Sequence, residues 1–221
     1  LIGANFRSAD MEYANLRYTD LTNAFFFGAD LRNADLSNAD LTGVDFTNAS
    51  HLQVRGVNLV TCPTHLPSEW SCIAHHLVGP NANLAFADLS GANLSGLNLR
   101  GVNMENATLI GTDLSNSVLA YANLKYSALS NANLTDADIS HAIVNHANLT
   151  NAILIDASFV DSELKNADLT GADLTSANLA FADLTDATLV AANLTNVRWS
   201  NTICPDGTYS DNNGDTCANN T

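Results

Sequence analysis

"ADLTGADLTSANLAFADLT", residues Ala167–Thr185, repeats itself every five residues. Leu169, Leu174, Leu179 and Leu184 each follow Asp or Asn, and alanine stands one position earlier. Neither regular element suits this period. Five residues rotate a helix by about 500°, so successive leucines would land roughly 140° apart and smear around the cylinder. On a flat strand, residues five apart point to opposite faces. The chain must therefore turn a corner between leucines so that each one points inward again. Closed coils of such short sides, stacked at about 4.8 Å, make a β-solenoid.

Working outward, the large apolar centres of a first run fall at Leu1, Phe6, Met11, Leu16, Leu21, Phe26, Leu31, Leu36, Leu41 and Phe46. A second run starts at Leu84 and continues without a miss to Trp199. Repeats of this fidelity outrank local propensity. Two residues before each centre stands Ala in most repeats, or a substitute such as Thr112, Ser117 or Val102, small enough to let the centres meet at the axis. Asp or Asn precedes the centre, and Thr, Ser, Gly or Asn follows it; these are turn formers suited to outward bends. Phe46 and Leu84 are not a multiple of five apart, yet Val54 and Leu59 keep the second frame, which predicts a frame slip at 47–53.

The pattern A-[DN]-L-[TSR]-[NGD] resembles the pentapeptide-repeat family. That resemblance implies an all-β fold, a right-handed quadrilateral β-helix with four repeats per coil. On that basis the second run makes six coils, about 29 Å long, and the first two and a half. The expected organisation is N-terminal coils at 1–59, an inserted loop at 60–81, a main solenoid at 82–203 and a C-terminal cap at 204–221. The chain opens at Leu1 inside the pattern, with no initiator Met or signal peptide, which reads as a processed or trimmed product. No apolar run approaches the 18 or so residues of a membrane span.

Within the inserted loop, Trp70, Ile73, Ala74 and Leu77 recur at helical spacing after a Ser68 cap, predicting one short amphipathic helix. The tail "CPDGTYSDNNGDTC", Cys204–Cys217, carries turn chemistry and is expected to cover the solenoid's end; similar Cys-Pro-Asp-Gly tails recur in family members. All four cysteines, Cys62, Cys72, Cys204 and Cys217, lie outside the repeats. Their proximity in pairs favours Cys62–Cys72 and Cys204–Cys217 disulfides over the other pairings. Disulfides imply an oxidising compartment: a periplasm, a thylakoid lumen or the exterior.

Candidate sites are few. His65, His75 and His76 with Cys62 and Cys72 match no common zinc spacing, and no metal or cofactor is expected. Asp211, Asn213 and Asp215 resemble a calcium loop, although the glycine and distal Glu of an EF-hand are out of place. With 20 residues per coil, Tyr121 lies under His141 and Tyr126 under His146, all outward, with Phe181 in the first column and Phe86 in the second. Tyr121, Tyr126, His141 and His146, together with Trp70, His75 and His76 of the inserted loop, form the candidate partner-binding residues. No nucleophile–base pair or phosphate loop appears, and the recurrence of the carboxylates reads as structural. An enzyme is not expected.

The net charge of −15, from 23 carboxylates against eight Lys and Arg, opposes direct nucleic-acid binding. The expectation is a rigid, acidic, non-enzymatic module presenting its surface to a protein partner. One alternative is a DNA mimic that binds DNA gyrase, as some family members do. Duplex DNA carries about 25 charges over 42 Å, more than this chain's net 15 over a similar length. Moreover Asp30, Asp35, Asp40 and Asp45 would ring all four sides instead of lining one. A third reading is a calcium- or carbohydrate-binding surface protein.

Overall fold

The computed structural model describes residues 1–50, 53–214, 216 and 217, excepting the side chain of Asn213. Parallel bridges link residues 20 apart, from Asp88↔Thr108 through Asp183↔Ile203. Each coil is therefore four sides of five residues, a quadrilateral β-helix.

The repeat accounts for every backbone donor it contains. Leu169 N–H donates to the Thr188 carbonyl of the next coil, and Gly171 N–H to that of Val190, at 2.8 and 2.9 Å. Asp173 N–H donates to Ala152 of the preceding coil (2.9 Å), and Ala172 N–H closes a turn onto the Leu169 carbonyl (3.0 Å). Thr170 N–H remains, and the Asp168 carboxylate accepts it at 3.0 Å. A buried or half-buried backbone group must find a partner. Where Asp or Asn stands before the centre, it supplies the one that the ladder leaves out.

Corners need a positive φ at the second residue after the centre. In the second run that position holds Asn106, Asn116, Asn131, Asn151 and others in the left-handed region, which Asn tolerates better than other side chains. Inside, leucines and alanines from Leu84 to Leu184 are almost completely buried. Where serine replaces the inward alanine, its hydroxyl donates to a carbonyl three residues back: Ser117 to Leu114, Ser127 to Leu124 and Ser162 to Phe159, at 2.7, 2.7 and 2.6 Å. This removes the penalty of a buried, unpaired hydroxyl.

The chain divides into two compact units, Leu1–Ala87 and Asp88–Thr221. In the first, Phe6 stacks on Phe26 with ring centroids 5.1 Å apart, and Phe46 lies tilted against Phe26 at 5.0 Å. Its ladder keeps the 20-residue step through Asp35↔Arg55, then pairs Asp40 with Thr61 and Asp45 with His65. Only the Asp40↔Thr61 bridge spans 21 residues; the step is 20 again at Asp45↔His65, so the extra residue between Arg55 and Thr61 is a local bulge. The frame slip expected at 47–53 includes His51 and Leu52, which lie outside the described residues.

The helix expected in the inserted loop is corrected: the segment is a β-hairpin. Strands β1 (Ser71–Ile73) and β2 (His76–Val78) pair antiparallel through a two-residue turn at Ala74 and His75. Both turn residues have positive φ, 47° and 62°, as a type I′ hairpin turn requires. The hairpin wins because its backbone finds partners on the coil beneath. Leu77 N–H donates to the Gly56 carbonyl and Leu59 N–H to that of His75, at 2.8 and 2.9 Å. A helix of this length is marginal alone and would forfeit those bonds. The Cys62–Cys72 disulfide ties β1 back to the entry of the loop. Trp70 lies flat on Gly79, where an added Cβ would come within 2.6 Å of the indole.

In the second unit, the Cys204–Cys217 disulfide closes the C-terminal end, and both cysteines are fully buried. Ile203 pairs antiparallel with Tyr209, and a 3-10 turn follows at Ser210–Asn213. The Ser210 hydroxyl donates to the Trp199 carbonyl of the last coil. These contacts cover the core that the coil would otherwise expose.

Candidate functional site

Corner residues of the second unit project outward from left-handed backbone. Most are Asn, Asp, Ser or Gly, but four on two successive coils are aromatic: Tyr121, Tyr126, His141 and His146, with φ of 64°, 59°, 59° and 59°. A bulky side chain in that region is a costly choice, by about 1–2 kcal/mol. The 20-residue step stacks them in pairs. Tyr121 and His141 lie 4.7 Å apart between ring centroids, Tyr126 and His146 4.9 Å, each pair 16° from parallel.

These two columns are the neighbouring corners of one side. Tyr121 enters the side that carries Asn123 and Lys125, and Tyr126 leaves it; His141 and His146 do the same for Ile143 and Asn145. The result is a strip of amide, lysine and isoleucine side chains with an aromatic rail along each edge. Tyr121 is 53% exposed and Tyr126 47%. The Arg100 guanidinium lies over the Tyr121 ring at 4.4 Å, and the Lys125 ammonium over Tyr126 at 5.0 Å. On the far side of the first rail, His141 Nδ1 stands 3.9 Å from an Asp161 carboxylate oxygen. These contacts engage ring faces, while Tyr121 and Tyr126 stay about half exposed.

Between the rails the polar groups are already oriented. Asn123 Nδ2 donates to Asn103 Oδ1 at 3.2 Å and to Glu105 Oε2 at 3.3 Å. Asn145 donates to Glu163 at 2.8 Å and accepts the Lys165 N–H at 2.8 Å. Lys165 Nζ sits 3.0 Å from Asp183, which raises its pKa through that hydrogen bond and the charge beside it.

Positive charge in the coils from 88 to 203 is segregated by side. Their Lys, Arg and His residues are Arg100, Lys125, His141, His146, Lys165 and Arg198. By the 20-residue step, all stand on the railed side, on its two corners or on the side preceding it. The other two sides carry none of them, and there Asp113 and Asp168 are tied up internally. The Asp113 carboxyl is held below the ordinary range by the Ser115 hydroxyl and N–H, and that of Asp168 by those of Thr170, each against a smaller burial penalty. Such carboxylates serve the backbone.

The hairpin candidates divide. His75 is exposed on the turn, but Trp70 and His76 are buried, which corrects their placement on a contact surface. Trp70 packs under the hairpin, and His76 Nδ1 accepts the Asn58 N–H at 3.2 Å. Of the calcium candidates, the Asp211 carboxylate accepts the Asn201 N–H at 2.8 Å; Asp215 and the side chain of Asn213 lie outside the described residues. Among those residues no group of His, Cys, Asp and Glu is placed to hold a metal ion. Sequence reasoning missed Arg100 and Lys165. The same step of 20 places Arg100 one coil below and one residue ahead of Tyr121, a signal that was available but unused.

The family model for pentapeptide repeats matches in eight copies, over residues 1–26, 9–48, 26–59, 81–116, 98–136, 132–171 and 162–201. The hand expected for such coils is the right-handed one. Among solved structures, the chain is similar to HetL, a pentapeptide repeat protein involved in heterocyst differentiation regulation from the cyanobacterium Nostoc sp. strain PCC 7120. Identity is 31% over 95% of this chain and 88% of that one, with a TM-score of 0.29. Rfr23 from the cyanobacterium Cyanothece 51142 matches at 32% identity over 46% of this chain and 58% of its own, TM-score 0.31. Full-length QnrB1, a plasmid-mediated fluoroquinolone resistance protein, matches at 17% identity over 89% of both chains, TM-score 0.32. No curated protein sequence matches the chain.

Proposed function

Because this chain belongs to the pentapeptide-repeat family, we propose that it is a non-enzymatic interaction module whose railed side holds a protein partner in an oxidising compartment. The observation that carries this reading is the set of four aromatic rings at adjacent corners, Tyr121, Tyr126, His141 and His146, where asparagine would fit the backbone better. Strain of this kind clusters where a surface does something. Tyrosine is also favoured at interfaces, because its ring offers area at small entropic cost and its hydroxyl a hydrogen bond.

Both disulfides support the compartment, since such bonds are rare among cytosolic proteins. Among the described residues no helix is long and apolar enough to cross a membrane, and the module is not proposed to insert into one. Direct nucleic-acid binding is disfavoured by the net charge of −15. A duplex mimic is disfavoured too. Asp30, Asp35, Asp40 and Asp45 each take part in a different bridge column, so their charge is spread around the coil.

The test replaces the rails with the residue that the corner prefers: Tyr121→Asn, Tyr126→Asn, His141→Asn and His146→Asn together. Relief of left-handed strain and loss of ring stacking are each about 1 kcal/mol per residue, so stability changes little. Wild-type protein recovered from its native host is expected to carry no free thiols and to co-purify with a partner that the quadruple variant loses. Recovery of the same partner by the variant would overturn the site. Four free thiols would overturn the compartment.

A further inference from the structure

In the first unit, "FFF" at Phe25–Phe27 breaks the repeat's polar rule on both sides of one centre. Phe26 is core, but Phe25 and Phe27 are 47% and 62% exposed. They lie along a groove of about 550 Å³ that also takes in Arg7, Asn23, Asp45 and Asn48, a size within the ordinary range of ligand sites. Gly43 keeps its corner open, for a Cβ there would sit 2.2 Å from the Asn23 side-chain oxygen.

Phenylalanine at 25 removes something specific. Every other repeat from Asn5 to Asp45 has Asp or Asn at this position, whose oxygen accepts the N–H two residues on: Arg7 to Asn5, Glu12 to Asp10, Arg17 to Asn15, Thr22 to Asp20, and then Arg32, Ser37, Thr42 and Thr47 in turn. Phe25 has no such oxygen, and the Phe27 N–H has no protein acceptor among the described residues. Beside it lies the Arg7 guanidinium, 4.9 Å above the Phe25 ring. Arg17, Arg32 and Arg55 of the same unit each pair with a carboxylate. Arg7 pairs with none among the described residues.

We propose that this groove binds a carboxylate attached to a bulky apolar group. The ligand's carboxylate takes the place of the missing repeat carboxylate, accepting from the Phe27 N–H and from the guanidinium, whose fork suits two parallel hydrogen bonds to such a group. Its apolar portion covers Phe25 and Phe27. A peptide C-terminus ending in a large residue and a free aromatic acid share this chemistry.

The probes are N-acetylphenylalanine, its C-terminal amide, and acetyl-Gly-Gly-Phe with a free carboxylate, titrated calorimetrically into the whole protein. The acid is expected to bind about tenfold or more tightly than the amide, the size of one charge-assisted hydrogen bond. Phe25→Asp supplies an internal carboxylate and restores the repeat, so it keeps the fold and abolishes binding; Arg7→Gln weakens it by about the same tenfold. Tighter binding of the tripeptide identifies a peptide C-terminus as the source, and equal binding a free acid. Acid and amide binding alike, Phe25→Asp binding as well as wild type, or no binding of either acid at millimolar concentration would overturn the proposal.

Discussion

The coils from 88 to 203 and the hairpin over Val60–Asn81 satisfy their backbones in opposite ways. In the coils, a unit with Asp or Asn before its centre brings its own acceptor, as Asp168 does for Thr170, one donor closes a local turn, and the others reach neighbouring coils at fixed separations. In the hairpin, the decisive partners, Gly56 and Leu59, lie at separations that no period announces. A repeat whose hydrogen bonds follow fixed separations can be recognised from its period. A segment whose partners are set by docking cannot, and a helical spacing of four apolar residues was free to mislead.

The largest expected effect breaks the regular half of this contrast. Leu154→Ala empties a fully buried centre and should cost about 2–5 kcal/mol in chemical denaturation. Since each coil touches only its neighbours, hydrogen exchange should quicken most around Leu134 and Leu174. Equal loosening of the hairpin would refute that locality. Next, Cys62→Ser with Cys72→Ser should cost about 3 kcal/mol on the chain-entropy model. Its signature is confined: the Leu59 and Leu77 amides lose protection while that of Leu154 keeps it.

The smallest effect sharpens the comparison at one side chain. Asp168→Ala should cost about 1 kcal/mol by leaving the Thr170 N–H unpaired, whereas Asp168→Asn, which retains an accepting oxygen, should cost less. The Asp168 carboxyl is held below its ordinary range by the Thr170 hydroxyl and N–H, opposed by burial and helped by the Thr150 hydroxyl. Its charged form therefore adds stability above about pH 4, the unfolded value. That contribution is lost as pH falls through the lower folded value. A urea-midpoint titration should show a smaller acid-side loss for Asp168→Asn; an unchanged loss would detach the carboxylate from this role.

Legibility of the candidate site follows the same division. Stacking of Tyr121 on His141 and of Tyr126 on His146 could be counted from the step of 20, and the rings meet as counted. That the two columns frame one side and gather the unit's cations also lay within reach of that arithmetic. The burial of Trp70 and His76 did not, because it depends on where β2 docks. The open Phe27 N–H became visible only once the role of residue 25 was known from its neighbours.

By itself the sequence determined a closed coil with a corner every five residues, the family resemblance supplied its four sides, and the cysteines found their partners by proximity. The tertiary structure alone decided the hairpin, the one bridge at which the ladder departs from its step of 20, and the groove beside Phe25. The physical reason is the range of the deciding interactions. Periodic hydrogen bonds repeat and can be read from spacing, whereas docking contacts occur once, between segments whose separation in the chain carries no pattern.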